Sequence, residues 1–328
     1  IEGISDARKT CKLVAKRLGL RQRQVAICST GVIGLPMPMM RIEPKIDGLV
    51  AGLDTNKGED VARAIMTSDT CKKEIAVSLE IGGHRVRIGA CAKGAGMICP
   101  SMATMLCFIT TDANVSAACF QKSLLEAADT SFNRITIDGD MSTNDTVIAL
   151  ANGQSGMPPI KRNSKECRLF REALEYVMLE MAKALVRDGE RVTKFVTVEV
   201  KGARTYLDAR KVAEAVANSA LVKSSWNGND PNWGRIIHAV GYAQAMVREE
   251  LIDIHINGKA ACLGGLQAKT SMDTLRKVVA KDSFTITINL HLGKAEYEVY
   301  SSDLSPEYID FNRSEYAYWK QARKDGLT

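Results

Sequence analysis

The sequence predicts an α+β protein of two domains, residues 1–195 and 196–328. Segments with apolar residues at helical spacing are interleaved with segments whose apolar and polar residues alternate as in strands. A new succession of strand, helices and hairpin begins after residue 190, which favours a second, smaller α+β domain. The length of 328 residues is sufficient to bury one large core or two ordinary ones.

The first domain begins with a helical pattern in "SDARKTCKLVAKRLGL" and a short apolar strand, ended by a glycine turn, in "QVAICSTGVIG". A helix is predicted in "GEDVARAIM", and "EIAVSLEIGGHRVRIGACA" alternates around Gly82-Gly83 as a hairpin. A nearly continuous apolar strand then starts at Thr104.

The rest of the first domain contains a helix in "SAACFQKSLLEAA", a strand-like segment in "NRITIDGD" and a long helix in "KECRLFREALEYVMLEMAKALVRDGE". Between the last two, "SGMPPIKRNS" combines paired prolines with glycine and charge, which is typical of a linker.

The second domain is predicted to start with a strand in "VTKFVTVEVKG" and one helix through "LDARKVAEAVANSALV". A helix around "GRIIHAVGYAQAMV", a hairpin in "ELIDIHINGKAACLG" and further strands complete it.

Composition excludes several classes of function. The 44 basic and 38 acidic residues give a net charge of only +6 and are dispersed, so we expect no nucleic-acid partner and no membrane partner. No apolar run reaches the roughly 20 residues of a membrane span, and no signal peptide is recognisable, so we expect a cytoplasmic protein. Nine cysteines without a C-x-x-C pair and four scattered histidines predict reduced thiols and no metal site.

The stretch "KGAGMICPSMATMLCFITTDA" poses a chemical question at Thr104. A threonine hydroxyl is a weak nucleophile unless a base removes its proton. Its own α-amine could be that base if the bond between Ala103 and Thr104 were cut, because an α-amine has a pKa near 8. On this stretch alone, a β-branched residue that simply starts a buried strand is the better interpretation.

Three other segments carry unusual polarity. "STGVIGLPMP" places a hydroxyl and a glycine where an oxyanion could be stabilised, although a plain glycine turn explains it equally well. "SFNRITIDGDMSTNDT" lacks the spacing of a calcium loop and predicts hydrogen-bonded polar turns. "NGNDPNWGR" predicts a turn that enters a helix.

Together these segments resemble the glutamate N-acetyltransferase family, also called the ornithine acetyltransferase or ArgJ family. The matching motifs are "STGVIG", "KGAGMICPSMATML", "SFNRITIDGD" with "STNDT", and "GNDPNWGR", in the family's order. The resemblance extends from about Ile1 to Asn312. It implies the α/β sandwich of self-cleaving enzymes with an N-terminal nucleophile, a fold shared with the L-aminopeptidase/D-esterase family.

The resemblance also implies roles for residues. It implies cleavage between Ala103 and Thr104 into an α chain, 1–103, and a β chain, 104–328. Thr104 matches the nucleophile, and Thr30 with Gly31 matches the pair that stabilises the oxyanion. The positions that match substrate-binding residues are Thr67, Lys93, Thr104, Glu190 and Asn312.

The implied reaction moves an acetyl group from N-acetylornithine to glutamate in arginine biosynthesis, without cofactor or metal. The implied assembly contains two α and two β chains. Use of acetyl-CoA as a second acetyl donor stays open, as do the effect on self-cleavage of a family segment ahead of Ile1 and the role of the chain after Asn312. Two alternatives remain: a self-cleaving aminopeptidase or amidohydrolase of the same fold, and a non-catalytic homologue.

Overall fold

The computed structural model describes residues 2–99, 105–313, 320–321 and 324. It mixes helices with two sheets, so the predicted α+β class is confirmed. The chain divides into two compact units, one made of residues 1–61 and 310–328 and the other of residues 62–309. No helix within the described residues has the length and apolar character to cross a membrane.

The first unit is mainly helical. It contains α1 (Glu2–Leu18), α2 (Met39–Ile42) and α3 (Ile46–Ala51), and the unit boundaries fall within α4 (Gly58–Ala64) and α11 (Pro306–Asn312). Helix α1 forms where predicted and buries Cys11 and Ala15.

The strand predicted in "QVAICSTGVIG" is wrong, because residues 25–38 pair with no strand in the described part of the chain. A strand needs a partner for its backbone groups. Here the backbone instead turns, with the Leu35 N–H bonded to the Val32 carbonyl, and the prolines at 36 and 38 supply no N–H.

A four-stranded sheet in the order β1-β2-β3-β5 opens the second unit. Its strands are β1 (Lys73–Ile81), β2 (His84–Lys93), β3 (Leu106–Thr111) and β5 (Thr146–Ala151). The predicted hairpin is confirmed: Gly82 and Gly83, with φ of 58° and 79°, form the tight turn between β1 and β2. Strand β3 pairs antiparallel with β2 and parallel with β5. The sequence analysis did not identify β5 as a strand.

Helix α6 (Lys165–Arg187) packs on this sheet and α5 (Ala117–Asp129) packs against α6; both helices lie where predicted. The segment "SGMPPIKRNS" is not a linker, because it joins β5 to α6 within one unit and buries Met157 and Ile160 in the core. A chain that contributes buried apolar side chains cannot act as a free connector.

A seven-stranded sheet follows in the order β4-β11-β6-β10-β7-β8-β9. Its strands are β4 (Ile135–Thr136), β6 (Phe195–Ala203), β7 (Asp253–Ile256), β8 (Lys259–Leu263), β9 (Leu266–Gln267), β10 (Ser283–Asn289) and β11 (Ala295–Ser302). Its helices are α7 (Tyr206–Ala217), α8 (Ala220–Asn227), α9 (Trp233–Gly241) and α10 (Met272–Val279).

The single helix predicted through "LDARKVAEAVANSALV" is divided into α7 and α8. The reason is local: the Ser219 side chain accepts a hydrogen bond from the Val222 N–H and so caps a new helix.

Two hydrophobic cores lie on the two sheets. The core at the four-stranded sheet contains buried residues between Ile81 and Val186 together with Tyr300. The core at the seven-stranded sheet contains buried residues between Val196 and Val299. The domain boundary at 195/196 stays a prediction. The two compact units are divided at other positions, 61/62 and 309/310.

Candidate active site

A buried cluster of three charges lies beside the first sheet. The Lys73 Nζ is 2.7 Å from Asp69 Oδ1 and also forms an ion pair with Asp188. The three side chains are only 2%, 0% and 8% exposed. Burial alone would raise the pKa of each carboxyl group, but the hydrogen bonds from Lys73 and from backbone N–H groups outweigh it and hold both pKa values below the usual range.

This cluster fixes three segments of backbone. Asp69 accepts hydrogen bonds from the Gly94 N–H at 2.9 Å and from the Thr67 N–H at 3.0 Å. Asp188 accepts from the Thr70 N–H at 3.0 Å. The loop after α4, the end of β2 and the end of α6 are therefore held in one arrangement by a single set of charges.

Lys93, the last residue of β2, is 3% exposed. No described residue forms a hydrogen bond with its Nζ. Burial lowers its pKa, which the nearby carboxylates of Asp69 and Glu190 partly oppose. A buried ammonium in this state can form a strong charge-assisted hydrogen bond with a carboxylate that enters the site.

Glu190 approaches the same loop from the turn after α6. Its N–H donates to the Ala95 carbonyl at 2.7 Å, and its Oε1 accepts from the Ser68 hydroxyl at 2.7 Å. A Cβ at Gly96 would lie 2.6 Å from the Glu190 carboxylate, so only glycine permits this approach. A carboxylate thus lies close to the segment that follows Lys93.

Thr67 is exposed and directly precedes Ser68. The structure therefore brings Thr67, Lys93 and Glu190 into one neighbourhood of the second unit. Thr30, half-buried, and Gly31, exposed, belong to the irregular segment of the first unit. Asn312, exposed, is the last residue of α11 and also belongs to the first unit.

Ala103 and Thr104 lie outside the described residues, but the position immediately after them is well defined. The Met105 N–H donates to Asp145 Oδ1 at 2.9 Å, and the Met105 carbonyl accepts from the Thr146 N–H at 3.0 Å. Asp145 Oδ2 is buried without a hydrogen-bond partner among the described residues, and burial raises the pKa of this carboxyl group. The start of β3 is anchored to the start of β5.

A second carboxylate fixes the chain before this point. Asp138 accepts hydrogen bonds from the Met97 N–H at 2.6 Å and the Ile98 N–H at 2.9 Å, and from the Tyr308 hydroxyl at 3.2 Å. Burial raises its pKa despite these bonds. The hydrogen-bonded turns predicted in "SFNRITIDGDMSTNDT" are confirmed, and their carboxylates bind the backbone of Met97, Ile98 and Met105.

The predicted turn in "NGNDPNWGR" is also confirmed. The Asn232 side chain accepts from the Arg235 N–H at 3.1 Å and starts α9. Nearby, the Asn227 side chain donates to Asp303 at 2.7 Å.

Sequence analysis missed the buried charges Asp69, Lys73 and Asp188, and it placed Asp138 and Asp145 in polar turns without identifying the backbone groups that they bind. A partial signal existed in "TSDTCKKE", where Asp69 and Lys73 are four residues apart in an otherwise polar turn. Among the described residues no three potential ligands of the His, Cys, Asp and Glu types gather as in a metal site.

The chain is similar to known proteins over most of its length. The model of the ArgJ family matches residues 1–317. The Geobacter sulfurreducens protein named arginine biosynthesis bifunctional protein ArgJ is 48% identical over 311 residues, which cover 94% of this chain and 79% of that protein. The Methanocaldococcus jannaschii protein named glutamate N-acetyltransferase is 43% identical over 323 residues, covering 95% and 79% of the two chains.

One solved structure is also similar. The crystal structure of arginine biosynthesis bifunctional protein ArgJ from Bacillus halodurans matches with a TM-score of 0.60 and 35% identity. The match covers 62% of this chain and 96% of that chain.

Proposed function

The chain belongs to the ArgJ family, and from this membership we propose that it transfers the acetyl group of N2-acetyl-L-ornithine to L-glutamate. The products are L-ornithine and N-acetyl-L-glutamate. The protein is an acyltransferase of arginine biosynthesis, in keeping with the names of its relatives.

One observation carries the substrate assignment. The buried ammonium of Lys93 and the carboxylate of Glu190 lie on adjoining segments, joined by the hydrogen bond between the Glu190 N–H and the Ala95 carbonyl. N-acetylornithine and glutamate each carry a carboxylate on the α-carbon, which Lys93 binds, and Glu190 binds a substrate ammonium. Thr67 and Asn312 complete the set of substrate-binding residues in this proposal.

The reaction proceeds through an acetylated threonine. The Thr104 hydroxyl attacks the acetyl carbonyl of N-acetylornithine and passes its proton to the free α-amine of the same residue, which then protonates the departing ornithine nitrogen. The amine of glutamate next attacks the ester carbonyl, and the threonine oxygen leaves with a proton. Thr30 and Gly31 donate to the oxygen of the tetrahedral intermediate.

The free amine requires earlier cleavage between Ala103 and Thr104. The hydroxyl of Thr104 attacks the Ala103 carbonyl, an ester replaces the amide, and water hydrolyses the ester. Anchoring of Met97 by Asp138 and of Met105 by Asp145 supports this step, because it fixes described residues on both sides of the cleavage point.

Exchange of one amide for another of similar stability needs no nucleotide or metal, so we propose no cofactor, with acetyl-CoA as a possible second acetyl donor. The α and β chains stay together and form a heterotetramer with two of each. The enzyme works in the cytoplasm, which suits its free cysteines.

Two measurements test the proposal. Intact mass and a denaturing gel should show a fragment that begins at Thr104, and Thr104→Ala should remain one chain. Thr104→Ser is the matched control, since it keeps both a hydroxyl and an amine and should retain cleavage.

The transfer itself is followed with acetyl-labelled N-acetylornithine. Label should pass to glutamate with ping-pong kinetics and should be trapped by hydroxylamine when glutamate is omitted. Release of labelled acetate at the same rate with and without glutamate would identify a hydrolase instead. Full activity in Thr104→Ala would contradict the proposed nucleophile.

A further inference from the structure

Two cysteine thiols lie in contact where helices α5 and α6 begin. Cys119 and Cys167 are each the third residue of their helix, and their N–H groups donate to the capping side chains of Ser116 at 3.3 Å and Ser164 at 3.1 Å. The two Sγ atoms are 3.4 Å apart. Equivalent positions at two helix starts therefore bring the thiols together.

The thiols line a cavity of about 400 Å³. None of the substrate-site residues named above lines it. Lys122 and Arg171 line the cavity and pair with Glu126, the one acidic residue among its described lining residues, at 3.6 and 2.9 Å.

Two further arginines line the same cavity, Arg162 and Arg168. Neither forms an ion pair with a described residue. Four cations against one carboxylate give the cavity a net positive charge, which concentrates anions near the thiols.

We propose that Cys119 and Cys167 form a redox-active thiol pair that is oxidised to a disulfide by small anionic disulfides entering this cavity. The two sulfurs are close enough to react with each other, and the cavity gives a small molecule access to them. Arg162 and Arg168, which form no ion pair with a described residue, attract an anionic reagent. This site is separate from the acetyl-transfer site, so its failure would leave the proposed function untouched.

The two thiols differ in their surroundings, which sets the order of reaction. Cys167 is half-buried, whereas Cys119 is 8% exposed and burial raises the pKa of its thiol. Cys167, as its thiolate, attacks one sulfur of the reagent, and the other half leaves as a thiolate that takes up a proton. The thiolate of Cys119 then attacks the Cys167 sulfur and displaces the second half.

The overall change is balanced: two protein thiols and one small disulfide give one protein disulfide and two small thiols. The sulfur atoms must approach from 3.4 Å to about 2.05 Å.

The experiment compares three reagents on the full chain at low salt: oxidised glutathione, which is anionic, 2-hydroxyethyl disulfide, which is neutral, and cystamine, which is cationic. Intact mass should fall by two hydrogens, and thiols counted in denaturant should fall from the nine cysteines present to seven. Peptide mapping should locate the bond between Cys119 and Cys167. Oxidised glutathione should react roughly 10-fold faster than cystamine, and salt should remove the difference.

Variants separate the steps. Cys119→Ser should stop at the mixed disulfide on Cys167, and Cys167→Ser should react slowly and form no cross-link. Arg162→Gln with Arg168→Gln should abolish the preference for the anionic reagent. Cys71→Ser, a change at an exposed cysteine elsewhere, should lower the thiol count by one before and after oxidation and leave the cross-link and the three rates unchanged.

Three results would overturn the inference. Absence of the cross-link in the wild-type chain, or its location on other cysteines, refutes the thiol pair. Equal rates for the three reagents refute the anionic class. The mapping and rate measurements use the wild-type chain, so they decide the matter even if a variant fails to fold.

Discussion

Replacement of Lys73 by methionine removes the cation from the buried charge cluster. Methionine has nearly the length and volume of the lysine stem, so the change leaves little cavity. It leaves the carboxylates of Asp69 and Asp188 without their shared cation, at exposed fractions of 0% and 8%. The perturbation is therefore almost purely electrostatic.

The expected cost in unfolding free energy is about 3–5 kcal/mol, the range for removing one partner of a buried ion pair. In a unit of this size that corresponds to a fall in Tm of about 6–20 °C. Because both carboxyl groups have lowered pKa values in the folded state, their stabilisation is complete above the unfolded pKa near 3.9 and is lost as the pH falls through the folded pKa. The difference between wild type and variant should accordingly shrink on acidification.

Urea unfolding followed by far-UV circular dichroism measures this difference at pH 7 and again near pH 3.5. Lys72→Met is the matched control, since that neighbouring lysine forms a more exposed pair with Glu74 at 2.5 Å and should cost less than about 1 kcal/mol. Adding Asp188→Asn to Lys73→Met should recover part of the loss. A Lys73→Met protein as stable as Lys72→Met at pH 7 would refute the reasoning.

Three other changes test the site and its surroundings. Lys223 is fully buried and burial lowers its pKa to about 7, so the unfolded chain binds more protons than the folded chain between about pH 7 and pH 10.4. The free energy of unfolding of the wild type should therefore rise with pH over that interval, by up to about 5 kcal/mol relative to Lys223→Met, as measured by urea unfolding. Gly96→Ala places a Cβ against the Glu190 carboxylate and should raise KM for amino-acid substrates several-fold with little change in Tm, whereas Gly89→Ala, where the nearest atom is 3.8 Å away, should leave KM unchanged. Asp138→Asn loses one of the two backbone bonds before the cleavage segment and should slow appearance of the cleaved chains on a denaturing gel, and an unchanged rate would count against that anchoring role.

Periodicity in the sequence was sufficient for most helices and for the hairpins. The hairpin at Gly82-Gly83 and helix α6 were found because their signals are local, a paired glycine turn in one case and a long apolar stripe in the other. The same local reasoning failed for residues 25–38, where an apolar segment has no described strand to pair with.

The substrate residues and the framework around them differ in how far they could be predicted. Lys93 and Glu190 came from motifs carried by a family resemblance, and chain position alone would not have brought them together. Asp188 meets Lys73 across 115 residues of chain, and no periodic pattern encodes such a contact. Asp145 was seen only as part of a polar turn, because its bond to Met105 depends on the parallel pairing of β3 with β5.

The pairing of β2 with β3 has a consequence for how the chain can be divided. Residues 88–93 and 106–111 are hydrogen-bonded neighbours in the interior of one sheet, and β3 is paired again with β5 on its other side. The pairing of these strands is thus maintained by hydrogen bonds between neighbouring strands and by shared core contacts. It does not depend on a covalent link between β2 and β3. New chain ends opened between them would be tolerated by the architecture much as they are in a circular permutant.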